Sequence, residues 1–247
     1  MTMRKDIVWD ASKVALFWRS YLENPKNHGA WMSEGSGVAI ARKMIDILPS
    51  KFLSSPKSIC DWGCGTGNFA KVFVSKGHKV FGLDQEDIVS QIPPDLGGFV
   101  AISDSSKIDD EKFDLIYALE VIEHIIDSEI QKTFSEWRRL LKKSGYLLLT
   151  TPNDENLEEN SVLCPNCETY FHSVQHVRSF SPGSISNMLE ENGFGVEKVW
   201  LGEFFFTTKR GFAIEALRKV WFVIRKIRDS QNKDFKQPHM MILCKLK

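Results

Sequence analysis

The sequence lacks several features that would place a protein in a class at once. It has no run of about eighteen uninterrupted apolar residues, so we expect no segment that spans a bilayer. Residues 1–10 carry no apolar stretch of the signal-peptide kind, so we expect a cytoplasmic protein. Lys and Arg total 32, as do Asp and Glu. No net charge therefore draws the chain to nucleic acid, which we do not expect as its substrate.

Cysteine is scarce, with five residues in a chain of 247. Cys60, Cys64 and Cys244 fall in or beside predicted strands, and we expect them to be small core residues in a reducing compartment. The hydrophobic content of 43% and the charged content of 26% are ordinary for a globular protein. A chain of this length suits one α/β domain with appendages.

Residues 60–67, with the sequence CDWGCGTG, bring three of the glycines into one short segment. The segment predicts a buried strand that ends in an acid and then a turn that carries Gly63, Gly65 and Gly67. A helix over about residues 68–76 follows. Glycine permits positive φ and lets a ligand lie against bare backbone, while the loop N–H groups and the helix N-terminus face it. The sequence therefore predicts a nucleotide-type ligand.

The glycine motif for dinucleotides, Gly-x-Gly-x-x-Gly, is incomplete because Asn68 stands where its last glycine belongs. Asp61, at the mouth of the loop, would also repel a pyrophosphate. A ligand with a cationic group is favoured instead, and S-adenosylmethionine carries an ammonium and a sulfonium but no phosphate. A nicotinamide-dependent oxidoreductase is therefore kept as the alternative enzyme.

An acid followed by Gly-x-Gly-x-Gly is the first motif of the class I S-adenosylmethionine-dependent methyltransferases, which this chain resembles. The resemblance implies a methyltransferase with S-adenosyl-L-methionine as its cofactor. It also implies that the acid and the loop backbone hold the methionine end of that molecule, through Asp61, Gly63, Cys64, Gly65 and Gly67.

Short apolar segments alternate with amphipathic ones along the rest of the chain. This rhythm predicts an α/β fold with a doubly wound, Rossmann-like, mostly parallel sheet, whose ligands lie beyond the carboxyl ends of the strands. The resemblance adds an antiparallel last strand. The predicted strands are 58–62, 79–84, 98–102, 113–118, 145–151, 194–201 and 240–246, and later helices are predicted near 86–91, 128–142 and 182–192.

We expect residues 1–247 to form a single methyltransferase domain with four parts. An N-terminal helical cap covers residues 1–50, and the cofactor-binding core covers 55–151. A Cys/His loop insertion follows at 152–180, and a basic amphipathic insertion follows at 204–238.

Acids also stand at the ends of the next two predicted strands. Asp84, followed by Gln85, ends the second strand, where this architecture holds a ribose because one carboxylate accepts from two adjacent hydroxyls. Asp104 and Ser105 follow the third strand, and the corresponding positions in resembling methyltransferases contact the adenine. Asp104 also suits the N-cap of a short helix, and that alternative stays open.

The segment Glu-Val-Ile-Glu-His at 120–124 resembles the subgroup that contains the ubiquinone-biosynthesis O-methyltransferases. The resemblance places Leu119 and Glu120 beside the sulfonium and implies methyl transfer to an oxygen of a small or lipid-linked acceptor. His124 is the candidate base, because imidazole is poised to take a proton near neutral pH. A purely structural, hydrogen-bonded His124 is the alternative.

Residues 164–176 carry the pattern Cys-x2-Cys-x4-His-x3-His. Cys164, Cys167, His172 and His176 supply four donors, enough for a structural, tetrahedral zinc site. Alternatively, the cysteines are plain loop thiols and the histidines face the substrate. Resembling enzymes carry a histidine near the acceptor in this loop, which makes His176 a second candidate base. A non-catalytic, zinc-bearing binding module with this fold is the non-enzyme alternative.

Residues 211–228 combine a wide apolar stripe with a cationic face. Such a helix suits the surface of an anionic membrane, where a soluble enzyme would meet a lipid-linked acceptor. The alternatives are a helix packed against its own domain or a dimer partner, and contact with RNA.

Overall fold

The computed structural model describes residues 4–23, 40–41, 43–49, 51–92, 97–202 and 238–247. Its centre is a seven-stranded sheet with the strand order β3-β2-β1-β4-β5-β9-β8. Strands β1 to β5 pair in parallel, and β9 runs antiparallel between β5 and β8. The strands are β1 Ser58–Trp62, β2 Lys79–Leu83, β3 Phe99–Ile102, β4 Phe113–Leu119, β5 Leu141–Pro152, β6 Ser161–Leu163, β7 Tyr170–His172, β8 Phe194–Gly202 and β9 His239–Leu246.

This arrangement confirms the predicted fold class, the predicted sheet strands and the antiparallel last strand. The helices are α1 Ala11–Glu23, α2 Ala70–Val74, α3 Glu86–Val89, α4 Asp127–Leu140 and α5 Pro182–Glu191, with 3-10 turns at Phe52–Ser54, Ser105–Lys107 and Ile122–His124. Near the end of the predicted helical cap over residues 1–50, residues 40–41 and 43–47 are helical.

Local chemistry explains where two of the helices begin or end. The side chain of Ser181 accepts from the backbone N–H of Ser184 at 3.1 Å, and Pro182 occupies the first helical position, so α5 starts where predicted. Helix α2 is shorter than predicted because the chain turns after Val74 and reaches Gly77 at φ +84°.

The core lies on both faces of the sheet. Successive residues of one strand join opposite clusters, with Leu115 in one and Ile116 in the other, as expected for a sheet covered by helices on both sides. Cys60 and Cys244 belong to the cluster of Ile116, and Cys64 belongs to the cluster of Leu115. All three thiols are buried, which confirms that they are core residues.

A small two-stranded sheet, β6 with β7, forms a hairpin in the loop after β5. The segment before α1 packs against it, since Ile7 N–H donates to the Tyr170 carbonyl at 2.9 Å. The rings of Trp9 and Phe171 meet edge to face, with 6.2 Å between their centroids. The hairpin therefore fixes the start of α1 against the remainder of the domain.

The basic segment 211–228 lies outside the described residues, as do residues 24–39. In the parts of the chain that the structure describes, we find no helix with the length and apolar character needed to cross a membrane.

Candidate active site

The glycine loop joins β1 to α2 and has the backbone that its sequence predicts. Gly63, Gly65 and Gly67 have φ values of +76°, +50° and +71°, a region that other residues rarely adopt. A Cβ on Gly63 would lie 2.5 Å from Cγ2 of Val121. The N–H groups of Gly63 and Cys64 donate to the Leu83 carbonyl at 2.8 and 3.1 Å. The loop is thus tied to the end of β2, and Gly63 has no room for a side chain.

A cavity of about 1220 Å³ opens at the carboxyl ends of β1, β2 and β4. Helix α1 covers part of it with Trp18 and Tyr21. Eight of the predicted cofactor residues and both candidate bases line this cavity; they are Asp61, Gly63, Cys64, Gly65, Asp84, Gln85, Leu119, Glu120, His124 and His176. The structure thereby brings together residues from widely separated segments, as the sequence predicts.

Asp61 is the acid at the end of β1, and its side chain is almost completely buried at 4% exposure. Its Oδ2 has no hydrogen-bond partner among the described residues. Burial raises the pKa of Asp61 to about 8, with the neighbouring Tyr117 hydroxyl opposing and the Asp84 charge adding to the shift. An unpaired carboxylate oxygen at the edge of a cavity suits a cationic hydrogen-bond donor such as an ammonium group.

Asp84 stands at the end of β2 and is held by the backbone. Its Oδ2 accepts from Gly65 N–H and its Oδ1 from Gln85 N–H, both at 2.8 Å. Burial raises the pKa of Asp84 to about 6, and these two hydrogen bonds oppose the rise. The carboxylate is therefore fixed in orientation and remains able to accept from further hydroxyl donors.

Three predicted cofactor residues, Gly67, Asp104 and Ser105, do not line the cavity. Oδ1 of Asp104 accepts from the N–H and the hydroxyl of Ser106 at 3.0 and 2.7 Å, so it caps the 3-10 turn that follows. The hydroxyl of Ser105 donates to Glu136 at 2.7 Å. The N-cap alternative for Asp104 describes this arrangement, because the loop after β3 uses the carboxylate to satisfy its own backbone.

The segment after β4 supplies buried acids and an imidazole. Glu120 adopts φ +54°, and Glu123 is 1% exposed with no hydrogen-bond partner for either carboxylate oxygen within the described residues. Burial raises the pKa of Glu120 to about 8 and raises that of Glu123 well above its ordinary value. Burial lowers the pKa of His124 to about 3. These side chains are therefore mainly uncharged near pH 7 in the ligand-free protein.

The predicted zinc set is not assembled. Cys164 and Cys167 lie at the tip of the β6–β7 hairpin, where Cys164 N–H donates to the Thr169 carbonyl at 2.8 Å. His172 pairs with Ser161 at its base. The steps from Ser161 to Cys164 cover about 10 Å of strand. The spacing in the sequence suits a knuckle, but the hairpin separates the two thiols from the imidazoles.

The histidines of that predicted set lie with carboxylates instead. The donor atoms of Glu155, His172 and His176 lie within 4.8 Å of one another, and so do those of Glu123, His124 and His176. Neither group includes a thiol in the described part of the chain. Cys167 is exposed, and its sulfur lies 2.9 Å from the Thr169 hydroxyl, as the loop-thiol alternative expects.

Sequence reasoning missed several side chains at this end of the cavity. Glu155 faces His176 with 2.5 Å between Oε2 and Nδ1. Gln175 is fully buried, accepts from Trp18 Nε1 at 2.9 Å and donates to the His124 carbonyl at 3.0 Å. None of these side chains belongs to a local motif. The one signal in the sequence was that Gln175, a polar residue, directly precedes the candidate base His176.

The strand order, the glycine loop and the unpaired acid beside it define a class I S-adenosylmethionine-dependent methyltransferase. The family model described as a methyltransferase domain matches residues 38–199, and the chain belongs to that family. Asn68 and Asp61 also disfavour the binding of a dinucleotide, so the nicotinamide-dependent oxidoreductase is not supported.

Relatives and solved structures agree with this assignment. The mitochondrial ubiquinone biosynthesis O-methyltransferase of Bos taurus is 30% identical over 178 residues, 65% of this chain and 47% of the relative. An uncharacterized methyltransferase of Anoxybacillus flavithermus is 24% identical over 106 residues, 41% of this chain and 50% of the relative. The chain thus spans about half the length of the curated relatives it matches.

A solved structure shares the fold over nearly the whole chain. It is the 1,6-didemethyltoxoflavin-N1-methyltransferase of Burkholderia thailandensis, with 1,6-didemethyltoxoflavin and S-adenosylhomocysteine bound. The TM-score is 0.64 at 15% identity, over 98% of this chain and 93% of that chain. At this identity the likeness shows the fold alone.

Proposed function

We propose that the protein transfers the methyl group of S-adenosylmethionine to an oxygen of a small or lipid-linked acceptor. One observation carries the proposal: a single cavity joins the glycine loop and its unpaired acid to a set of glutamates and histidines from other segments. Its volume of about 1220 Å³ exceeds the usual range for one small ligand, which supports a cofactor and an acceptor side by side.

At the cofactor end, Asp61 receives the ammonium of the methionine part, and the backbone of Gly63–Gly65 lies against it. Asp84 accepts from the ribose hydroxyls, with Gln85 beside it. Gly67, Asp104 and Ser105 are left out of the proposed site because none of them lines the cavity. When bound, the cofactor supplies a methyl group made electrophilic by its sulfonium. The residues of this chain supply orientation, which is a large part of the work in such a transfer.

At the acceptor end, His176 takes the proton that the acceptor hydroxyl loses. Burial lowers the pKa of His124 to about 3, which leaves it little affinity for a proton near pH 7. The Nδ1 atoms of the two rings also differ in partner: that of His124 lies 3.4 Å from the Gln175 carbonyl, whereas that of His176 faces the Glu155 carboxylate. A carboxylate stabilises the imidazolium that forms, so His176 is the better base.

An oxygen acceptor is supported by the name of the Bos taurus relative, which is an O-methyltransferase. The name of the Burkholderia thailandensis neighbour specifies a nitrogen. A screen separates the two acceptor classes: purified protein is incubated with S-adenosylmethionine labelled in the methyl group and with panels of phenols, hydroquinones and amines. Transfer to hydroxyl compounds supports the proposal, and transfer confined to amines contradicts it.

A lipid-linked acceptor and contact with a membrane rest on the basic amphipathic sequence 211–228. Sedimentation with vesicles that contain anionic lipid tests this part, with neutral vesicles as the control. We expect binding to anionic vesicles and its loss when residues 211–228 are deleted. Equal sedimentation of the deleted and full chains would contradict membrane contact through this segment.

A further inference from the structure

Glu155 lies on the loop after β5, lines the cavity and belongs to no motif that the sequence revealed. Its two carboxylate oxygens face two different imidazoles. Oε2 lies 2.5 Å from His176 Nδ1, and Oε1 lies 3.4 Å from His172 Nε2. The side chain is 16% exposed, so water screens these contacts only weakly. One carboxylate thus joins the two histidines of the loop.

The protonation of this group follows from what each atom can do. Burial alone would raise the pKa of Glu155, but the hydrogen bond from His176 and the two neighbouring imidazoles outweigh it and lower that pKa. An ionised carboxylate only accepts hydrogen bonds. His176 Nδ1 must therefore carry the proton, which leaves Nε2 with its lone pair free.

His172 reinforces the same arrangement. Its Nδ1 lies 3.3 Å from His176 N–H and accepts from it, so its own proton sits on Nε2, on the side of Glu155. The two rings are stacked, with 4.5 Å between centroids and 12° between planes. The stack restricts the ring of His176 from one face while Glu155 holds one edge.

We propose that Glu155 is a positioning residue that, together with His172, holds His176 as its Nδ1–H tautomer and turns Nε2 toward the acceptor. This inference rests on the proposed function, since it assigns the orientation of the base in that reaction. As the acceptor oxygen bonds to the methyl carbon, the carbon–sulfur bond breaks and a neutral thioether leaves. The acceptor's proton passes to His176 Nε2, and Glu155 stabilises the resulting imidazolium.

The tautomer is read directly by nitrogen NMR of the full chain labelled with ¹⁵N-histidine, without any reaction. Comparison with the His176→Gln variant assigns the signals. We expect His176 to show a protonated Nδ1 and a bare Nε2, and we expect Glu155→Gln to shift it to a mixture of both tautomers. A wild-type His176 protonated on Nε2, or a spectrum unchanged by Glu155→Gln, would overturn the proposal.

Kinetics give a second readout. We expect Glu155→Gln to lower kcat by about 10- to 100-fold with the KM for S-adenosylmethionine unchanged, and Glu155→Asp to recover part of the loss. The matched control is Glu158→Gln, an exposed glutamate on the same loop, which should leave kcat unchanged. Equal losses in Glu155→Gln and Glu158→Gln would contradict the positioning role.

Melting temperatures of each variant separate this effect from unfolding. A loss of kcat in Glu155→Gln that disappears once the rate is divided by the folded fraction would overturn the proposal. If the wild-type protein methylates no acceptor in the screen, the proposed function fails, whereas the NMR comparison still decides how His176 is held.

Discussion

At the proposed cofactor end of the cavity, the lining residues that we assign to the ligand belong to the glycine loop and to strand-end acids within residues 61–85. At the acceptor end, they are side chains of α1, of residues 120–124, and of the loop after β5. The first end is set by one glycine motif and one parallel strand pair. The second exists only once these three separate parts of the chain have packed together. A backbone site tolerates little variation, whereas a side-chain site can change its acceptor by substitution.

Replacing the proposed base should separate the two ends most clearly. We expect His176→Gln to lower kcat by about 10²- to 10⁴-fold, because no other group takes the acceptor's proton, while affinity for S-adenosylmethionine stays within about twofold. Steady-state kinetics and calorimetry measure the two quantities. A fall in cofactor affinity as large as the fall in kcat would show that the ends are not independent.

The converse change is made at the cofactor end. We expect Asp61→Asn to weaken S-adenosylmethionine binding by about 10- to 100-fold, the loss of one charged hydrogen bond worth about 1.5–3 kcal/mol. Isothermal calorimetry measures it, with Asp109→Asn, an exposed acid far from the loop, as the control. Unchanged affinity in Asp61→Asn would show that the ammonium of S-adenosylmethionine does not bind at Asp61.

Buried acids at both ends should make the ligand-free protein lose stability as pH rises. Asp61 and Glu120 have pKa values of about 8 in the folded protein, against ordinary values of 3.8 and 4.5. Between about pH 4 and 8 these two groups bind fewer protons in the unfolded chain than in the folded one. The free energy of unfolding therefore falls with pH, by up to about 1.4 kcal/mol per unit for each group.

Urea unfolding at a series of pH values between about 7 and 8.5 measures this slope, above the range in which the buried neutral His124 contributes a slope of opposite sign. Asp61→Asn and Glu120→Gln should each make it shallower, and the double variant should be the flattest. If the slope of the wild-type protein is absent or rises with pH, the acids are not held protonated as described.

The smallest expected effect concerns the link between α1 and the acceptor end. Trp18→Phe keeps the ring but removes the 2.9 Å hydrogen bond to the buried Gln175. We expect a loss of about 1 kcal/mol in the free energy of unfolding and a fall in kcat of about 2- to 5-fold. Cofactor affinity should not change. A larger effect on cofactor binding than on kcat would place α1 with the other end of the cavity.

The sequence predicted the sheet strands and the glycine loop because each follows from a short local pattern. Gly63 needs positive φ, and the alternation of strands and helices leaves little choice of topology. Asp104 satisfied the same position rule as Asp84, but the turn after β3 uses its carboxylate as a cap. Whether a strand-end acid faces a ligand or its own backbone depends on the loop that follows.

The acceptor end was less predictable, for a physical reason. His176 was recognised by its loop. The contact of Glu155 with His176, and those of Gln175 with Trp18 and His124, arise from packing that the spacing of residues does not show. The zinc hypothesis rested on the number of residues between donors, and it took no account of the hairpin that separates the thiols from the imidazoles. Residues that are close in the sequence can lie at opposite ends of a hairpin and so be too far apart to bind one ion.

The pairing of Gly202 with His239 in the last hairpin of the sheet has a practical meaning. Residues paired in this way lie only about 5 Å apart, so the connection between them begins and ends at nearly one point. His239 and the preceding Pro238 border the chamber itself. Lengthening or exchanging such a connection costs little free energy, because the entropy cost of closing a loop grows slowly with its length. A different segment can therefore be inserted between Gly202 and His239, next to the cavity, while the register of the two strands stays the same.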